Sequence, residues 1–387
     1  MTLRLTAATL VLPDRILHDA SLAIEDERIV EVSRRPLPGA RDLRGHLIVP
    51  GFIDVHVHGV EGMDALEGED VITRLAARLP RYGVTGFCPT SIACVPAELR
   101  ALLQGIQKAR AHPSPGAARV LPAHLESNFI NPEFKGAQPL SCICTPHGRA
   151  DGNFTGHDIL AEIEAAGPDV GIVTVAPEIE GVLALIPELV RRGHRVSLGH
   201  SGATYEQAIA GIDAGARHAT HLFNRMTGLN HRDPGLAGAV LESDALAAEL
   251  ICDGVHVHPA AIRATIAAKG AGKVMAITDG TAAAGLPRGA RTTLGGRPIT
   301  VGDVARLEDG TFAGSVLTMD AAFRLLVQHM GVPLTDAAQM CATTPARELG
   351  LYGLGVLSEG AIADFVILDP DLRVAETYIS GRRIFPD

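Results

Sequence analysis

Polar and apolar positions alternate with a period of two at both ends of the chain, and a mixed strand–helix texture fills the middle. LRLTAATLVL from Leu3, SLAIEDERIVEVS from Ser21 and HLIV from His46 read as short strands with turn residues between them. VLSEGAIADFVILD from Val356 and AETYISGRRIF from Ala375 have the same texture. Neither end holds enough apolar residues for a core of its own. The two are therefore expected to pair as a small β-sandwich built from residues 1–49 and 355–387.

Between them, over 50–354, segments with helical spacing such as VITRLAARLPRYG, AELRALLQGIQKAR and TYEQAIAGIDAGA alternate with short apolar runs. The runs GFIDVHV, GFCPTSI, VLPAHLE, GIVTVAP, RVSLGH, HATHLF, AELICDG and VMAITDG are the candidate strands. Alternating strands and helices imply a parallel sheet, and about eight such units suit an α/β chain folded as a (β/α)₈ barrel. In that fold the C-terminal ends of the strands line the active site.

The 387 residues are 47% apolar, ample for one large core. The net charge of −10 argues against nucleic acid or an anionic membrane as partner, since either favours a basic surface. It leaves room for a small anionic ligand held by a few arginines. The six cysteines show no spacing of a secreted domain and read as reduced thiols, Cys142 and Cys144 included. MTLRLTAATLVLPDRILHDA lacks the layout of a signal peptide, and no run reaches the length of a membrane span. A cytoplasmic protein is expected.

Titratable residues recur at the predicted strand ends. In PGFIDVHVHG, His56 and His58 are two apart, so on a strand both imidazoles point the same way. HLES ends a strand on Glu126, VSLGH on His200, HATHLF on His221 and VMAITDG on Asp279. Each alone is readily a capping or hydrogen-bonded polar group. Four histidines and two carboxylates gathered at one rim make a divalent-metal site, of one or two ions. Zinc is the default for such donors, with iron or manganese as alternatives.

A resemblance follows from the same residues. The set H-x-H, Glu, His, His, Asp on a barrel with a split β-sandwich resembles the amidohydrolase superfamily. HLES–FIN–KGA, LGHSGATYEQA, ATHLFNRMTGLNHRDPGLAG, ICDGVHVHP, AITDGTAAAG and FAGSVLTMDAAFRLLV resemble, within it, the N-acetylglucosamine-6-phosphate deacetylases. The resemblance implies hydrolysis of the N-acetyl amide of an amino-sugar phosphate by a homodimer in which a neighbouring subunit completes the phosphate pocket. It implies that Glu126, His200 and His221 hold the principal metal, that His56 and His58 match positions where some members bind a second, and that Asp279 is the acid/base. It further places Ala137, Gln138, Asn224, Arg232, His256, Phe312, Ala313 and Gly314 at substrate, with Arg232 near the phosphate.

The chain departs from the family pattern at four positions. Ser127 and Asn128 stand for Gly and Pro, Gln138 for His, and Arg225 for a small residue beside substrate. Three readings follow. The chain is a deacetylase for the family substrate with Arg225 helping to bind phosphate; or it acts on another N-acylated compound, such as N-acetylgalactosamine-6-phosphate or an anionic acyl amine; or it is a metal-binding scaffold of weak activity.

Overall fold

The chain is described by a computed structural model over residues 2–68 and 70–386. Eight parallel strands form its centre: β1 (Phe52–Val57), β2 (Val84–Ser91), β3 (Ala123–Glu126), β4 (Val170–Val175), β5 (Arg195–Leu198), β6 (His218–Ala219), β7 (Ala247–Ile251) and β8 (Val274–Ile277). Each pairs with the next in sequence. Strands covered on both faces need apolar residues on both, which explains their near-continuous apolar runs.

The ring closes between β8 and β1. Val57 bridges Gly280 in parallel, Asp279 N donates to His56 O at 2.9 Å, and His58 N donates to Gly280 O at 2.8 Å. Beneath this seam the buried Asp54 accepts from Thr278 Oγ1 at 2.6 Å and from His56 N at 3.2 Å. One carboxylate thereby ties the first strand to the last.

Helices cover the outside, among them Val71–Arg78, Pro96–Ala111, Gly156–Ala166, Val182–Arg191, Tyr205–Ala214, Gly235–Glu242 and Pro259–Lys269. The three helices legible in the sequence form where expected. Thr204 opens one of them, its side chain accepting from Gln207 N while the Gln207 side chain accepts from Thr204 N. That reciprocal cap is readable in TYEQ.

The two termini meet in one sheet. Its order is Arg382–Phe385, Val374–Ile379, Phe365–Leu368, Leu47–Pro50, Thr2–Val11, Ile16–Glu25, Arg28–Ser33. The join is antiparallel, Phe365 opposite Pro50 and Leu368 opposite Leu47. The sheet wraps around a core of its own, with Leu5, Leu10, Leu22 and Ile24 from one end and Phe365, Ile367 and Tyr378 from the other. The pairing of the two termini expected from the sequence is present, in one sheet. SLAIEDERIVEVS is split into a hairpin at Asp26, which adopts φ +53.

A three-stranded sheet, Arg291–Leu294, Arg297–Val301 and Ala305–Leu307, follows β8 and was not anticipated. Its first turn is Gly295–Gly296, both at positive φ, as a tight hairpin requires. It packs Leu294, Ile299 and Ala313 against Ile92 and forms one wall above the barrel mouth.

Candidate active site

The sequence-predicted ligands converge at the C-terminal mouth of the barrel. Glu126 is the last residue of β3; His200 and His221 lie two beyond β5 and β6, and Asp279 two beyond β8. His200, His221 and Asp279 have φ of +46°, +30° and +47°. Left-handed backbone at non-glycine residues is costly and collects at sites that need a side chain aimed in one direction. Here it turns each side chain over the barrel axis.

Glu126 Oε1 lies 2.7 Å from His200 Nε2 and 2.8 Å from His221 Nε2, and the two Nε2 atoms are 3.1 Å apart. His56 Nε2 and His58 Nε2 are 3.2 Å apart. Asp279 Oδ1 is 3.2 Å from His58 Nε2 and 3.5 Å from His56 Nε2. Glu126 also reaches the second pair, Oε2 standing 3.6 Å from His58 Nε2. Gln138 Nε2 donates to Glu126 Oε2, and Gln138 Oε1 accepts from Ala93 N at 2.7 Å.

The donor set fits a divalent metal. Outward-facing ring nitrogens meet acceptors: His200 Nδ1 at Phe134 O (2.8 Å), His58 Nδ1 at Thr90 O (3.2 Å) and His56 Nδ1 at Glu249 Oε2 (2.9 Å). An acceptor there puts the proton on Nδ1 and leaves the Nε2 lone pair facing inward. Inward lone pairs about 3 Å apart repel unless a cation lies among them. The separations fall a few tenths of an ångström inside the roughly 3.4 Å edge of a tetrahedron with metal–nitrogen bonds of about 2.1 Å.

The charges point the same way. Burial alone would raise the Glu126 and Asp279 carboxyls, but the surrounding imidazoles outweigh it and hold both below the usual range. Burial would depress His56, yet Glu249, Asp279 and Glu126 carry it up to about 10. Three buried carboxylates thus demand positive charge here, as a proton on His56 or as a cation in its stead.

A cavity of about 440 Å³ opens over this centre. Its lining includes His58, Glu126, Ala137, Gln138, His200, His221, Asn224, Arg225, His256, Asp279, Phe312 and Gly314, all expected from the sequence. Gly314, at φ +61, lets the wall approach Asp279, since a Cβ there would meet Asp279 O at 2.8 Å. His256 is held by Asp253, which accepts at Nδ1 over 2.6 Å, and packs edge-on to Phe312.

Two substrate positions differ from expectation. Arg232 does not line the cavity within one chain: its side chain is exposed on the loop after Met226, where its backbone N donates to Asn230 Oδ1. The guanidinium at the mouth is that of Arg225, lying across Gly136. Ala313 is buried in the core of the three-stranded sheet, where the alternation of that segment turns it away from the mouth. Ser127 and Asn128 also face away. Ser127 Oγ donates to Thr174 O, and Asn128 Nδ2 bridges Cys94 O and Cys142 O. These two departures tie loops together and leave the cavity unchanged.

Sequence reasoning passed over Glu249, Asp253, Phe134 and the wall residue Leu294. Asp253 had a signal, the D-x-x-H of DGVH; Glu249 had only its charge within an apolar strand.

Residues 47–384 match the amidohydrolase family. The N-acetylgalactosamine-6-phosphate deacetylase of Escherichia coli O157:H7 is 36% identical over 393 residues, 99% of each chain. The N-acetylglucosamine-6-phosphate deacetylase of Rattus norvegicus is 38% identical over 386 residues, 96% of this chain and 90% of its own. Among solved structures, a mutant N-acetyl-D-glucosamine-6-phosphate deacetylase from Mycobacterium smegmatis, in complex with N-acetyl-D-glucosamine-6-phosphate, superposes with a TM-score of 0.90 at 34% identity over 99% of both chains. The Thermotoga maritima N-acetylglucosamine-6-phosphate deacetylase gives 0.88 at 32% identity over 100% of both. With matches of this extent on the barrel and its metal-ligand rim, the chain belongs to the amidohydrolase family.

Proposed function

We propose that this chain is a metal-dependent amide hydrolase that removes the acetyl group of N-acetylglucosamine-6-phosphate, giving glucosamine-6-phosphate and acetate. The observation that carries the reading is the pair of donor sets that share Glu126, one with His200 and His221 and one with His56 and His58, beside Asp279 at the floor of a cavity with Arg225 at its mouth. Full-length likeness to deacetylases of 6-phosphorylated amino sugars supports it.

Glu126, His200 and His221, with His56 and His58 beside them, would hold one or two divalent ions, which would supply Lewis-acid activation of water and of the amide carbonyl at neutral pH. The remaining work falls to side chains. Asp279 Oδ1, facing the cavity, takes a proton from the attacking water as the new C–O bond forms. It then delivers that proton to the amide nitrogen, so that the C–N bond breaks with a neutral amine departing. His256, with Nδ1 fixed by Asp253, presents Nε2 as a donor to developing negative charge on the carbonyl oxygen. Gln138 holds Glu126 in place through Oε2. Arg225 meets the phosphate with a fork of charge-assisted hydrogen bonds. Phe134, Met226, Leu294 and Phe312 line the walls and exclude water around the acetamide.

Zinc, iron and manganese all suit these donors, zinc first. The six buried free thiols among the described residues support a reducing compartment, the cytoplasm. No described helix is long and apolar enough to cross a membrane. Leu229 at 59% exposure and Val255 at 50%, on the loops that carry Arg225 and His256, support a homodimer packed over this rim. Arg232, exposed on the Leu229 loop, would then reach phosphate only in the assembled site.

A second reading, N-acetylgalactosamine-6-phosphate as substrate, is favoured by Arg225 and Gln138 at the cavity and by the full-length Escherichia coli relative. Measuring kcat/KM for acetate release from the two 6-phosphates and from unphosphorylated N-acetylglucosamine tests both. The proposal expects the glucosamine phosphate to lead by at least about tenfold, or 1.4 kcal/mol. A lead by the galactosamine phosphate transfers the assignment to the second reading, and equal rates with and without phosphate overturn the role of Arg225.

A further inference from the structure

We infer that Glu249 is a positioning residue that fixes His56 as an Nε2 donor and so governs whether the His56–His58 side of the centre holds an ion. The inference rests on the metal-dependent reading above, and it concerns a residue that neither lines the cavity nor meets the substrate.

Glu249 is the one charged residue of β7, AAELI, and is 0% exposed. An isolated buried carboxylate is expensive, and a leucine would fill such a place without that cost. No arginine or lysine pairs with it among the described residues. Its Oε2 lies 2.9 Å from His56 Nδ1 and accepts more weakly from His221 N at 3.4 Å. Its Oε1 has no hydrogen-bond partner. The nearest other ring, His124, is already committed, Nδ1 to Val55 O at 3.0 Å and Nε2 to Thr174 Oγ1 at 2.9 Å. The strong partner of this carboxylate is therefore His56, and a cation beyond that ring would supply the compensating charge.

The ligand histidines differ in what stands behind them. His58 and His200 are backed by neutral carbonyls, His221 Nδ1 by no partner, and His56 by an anion. A carboxylate behind an imidazole holds the Nδ1–H tautomer, fixes the ring plane and strengthens the far nitrogen as a donor. Here the far nitrogen faces His58 Nε2 at 3.2 Å, Asp279 Oδ1 at 3.5 Å and Glu126 Oε1 at 3.9 Å. Glu249 thus acts chiefly through His56, on one side of the centre; its link to the Glu126–His200–His221 side is the long 3.4 Å bond from His221 N.

The test measures ions bound per chain after dialysis into zinc at a buffered free concentration, for wild type, Glu249→Gln, His56→Ala and the double variant. Wild type should hold one more ion than His56→Ala. Glu249→Gln keeps the shape and removes the charge, and should weaken that ion roughly 10–100-fold. In the His56→Ala background the same change should alter nothing, because Glu249 works through His56. A Glu249→Gln protein with wild-type ion content, a further loss in the double variant, or a wild type with no more ions than His56→Ala would each overturn the inference. Should the variants fail to fold, wild-type protein labelled with ¹⁵N-histidine decides it. A His56 ring protonated at Nδ1 supports the inference, and one protonated at Nε2 overturns it. Deacetylation by wild type is a separate readout, so failure here and failure of the hydrolase reading are distinguishable.

Discussion

Replacing Asp279 by Asn should lower kcat about 10⁴-fold while leaving the metal in place. The change removes the charge and the proton-carrying oxygen but keeps the size, and asparagine tolerates the +47° φ of this position better than most residues. The Asp279 N to His56 O bond that closes the barrel does not involve the side chain. A general acid–base group contributes about 10² to 10⁴ in rate. The upper end is expected because the other carboxylates at the centre are already committed. Glu126 Oε1 is committed to His200 and His221 and Oε2 to Gln138, while Glu249 is sealed behind His56. A factor of 10⁴ corresponds to about 5.4 kcal/mol of lost transition-state stabilisation. The assay is acetate release at saturating N-acetylglucosamine-6-phosphate, with ion content and circular dichroism measured on the same preparation. A folded, metal-replete Asp279→Asn protein within tenfold of wild type would refute the acid/base role.

Four further outcomes are expected. Arg225→Ala should reduce kcat/KM for the 6-phosphate about 10- to 150-fold, the value of one hydrogen bond between charged groups, and barely affect the unphosphorylated sugar; equal losses on both would count against it. Gln138→Leu leaves Ala93 N and Glu126 Oε2 without partners and should destabilise the fold by about 1–3 kcal/mol, read as a lower urea midpoint at constant slope. Chelation should abolish turnover, and added zinc, iron or manganese should restore it. Glu348 supplies a pH test: burial would raise its carboxyl, but the His218 ring 3.7 Å away and the hydrogen bonds from Arg347 outweigh burial and bring it to about 2. A folded value below the ordinary 4.5 means stabilisation present in full above pH 4.5 and lost as pH falls toward 2. The stability gap between wild type and Glu348→Gln should therefore narrow across that window, and a constant gap would contradict the pairing.

The rim of candidate ligands was legible because its signals are local. His56 lies on the first barrel strand and His58 one residue past its end, and Glu126, His200, His221 and Asp279 each close an apolar run, so a barrel alone suffices to bring them together. Glu249 was not legible. Its partner lies 193 residues away, and a single Glu inside AAELI is indistinguishable in sequence from a misplaced surface charge. The three-stranded sheet of 291–307 carried a Gly295–Gly296 turn between alternating residues, a hairpin signal masked by the stronger β/α rhythm on either side. Arg232 and Arg225 are seven residues apart in one loop, and no periodicity governs which side chain a loop turns inward; the structure turns Arg225 to the mouth.

The most direct measurement follows acetate and free amine released from N-acetylglucosamine-6-phosphate by one protein preparation, first stripped of metal and then titrated with zinc. Both products should appear in equal amounts, rising with bound zinc and levelling off as the sites fill. A protein that takes up zinc at His56, His58, Glu126, His200 and His221 and releases neither product would contradict the account.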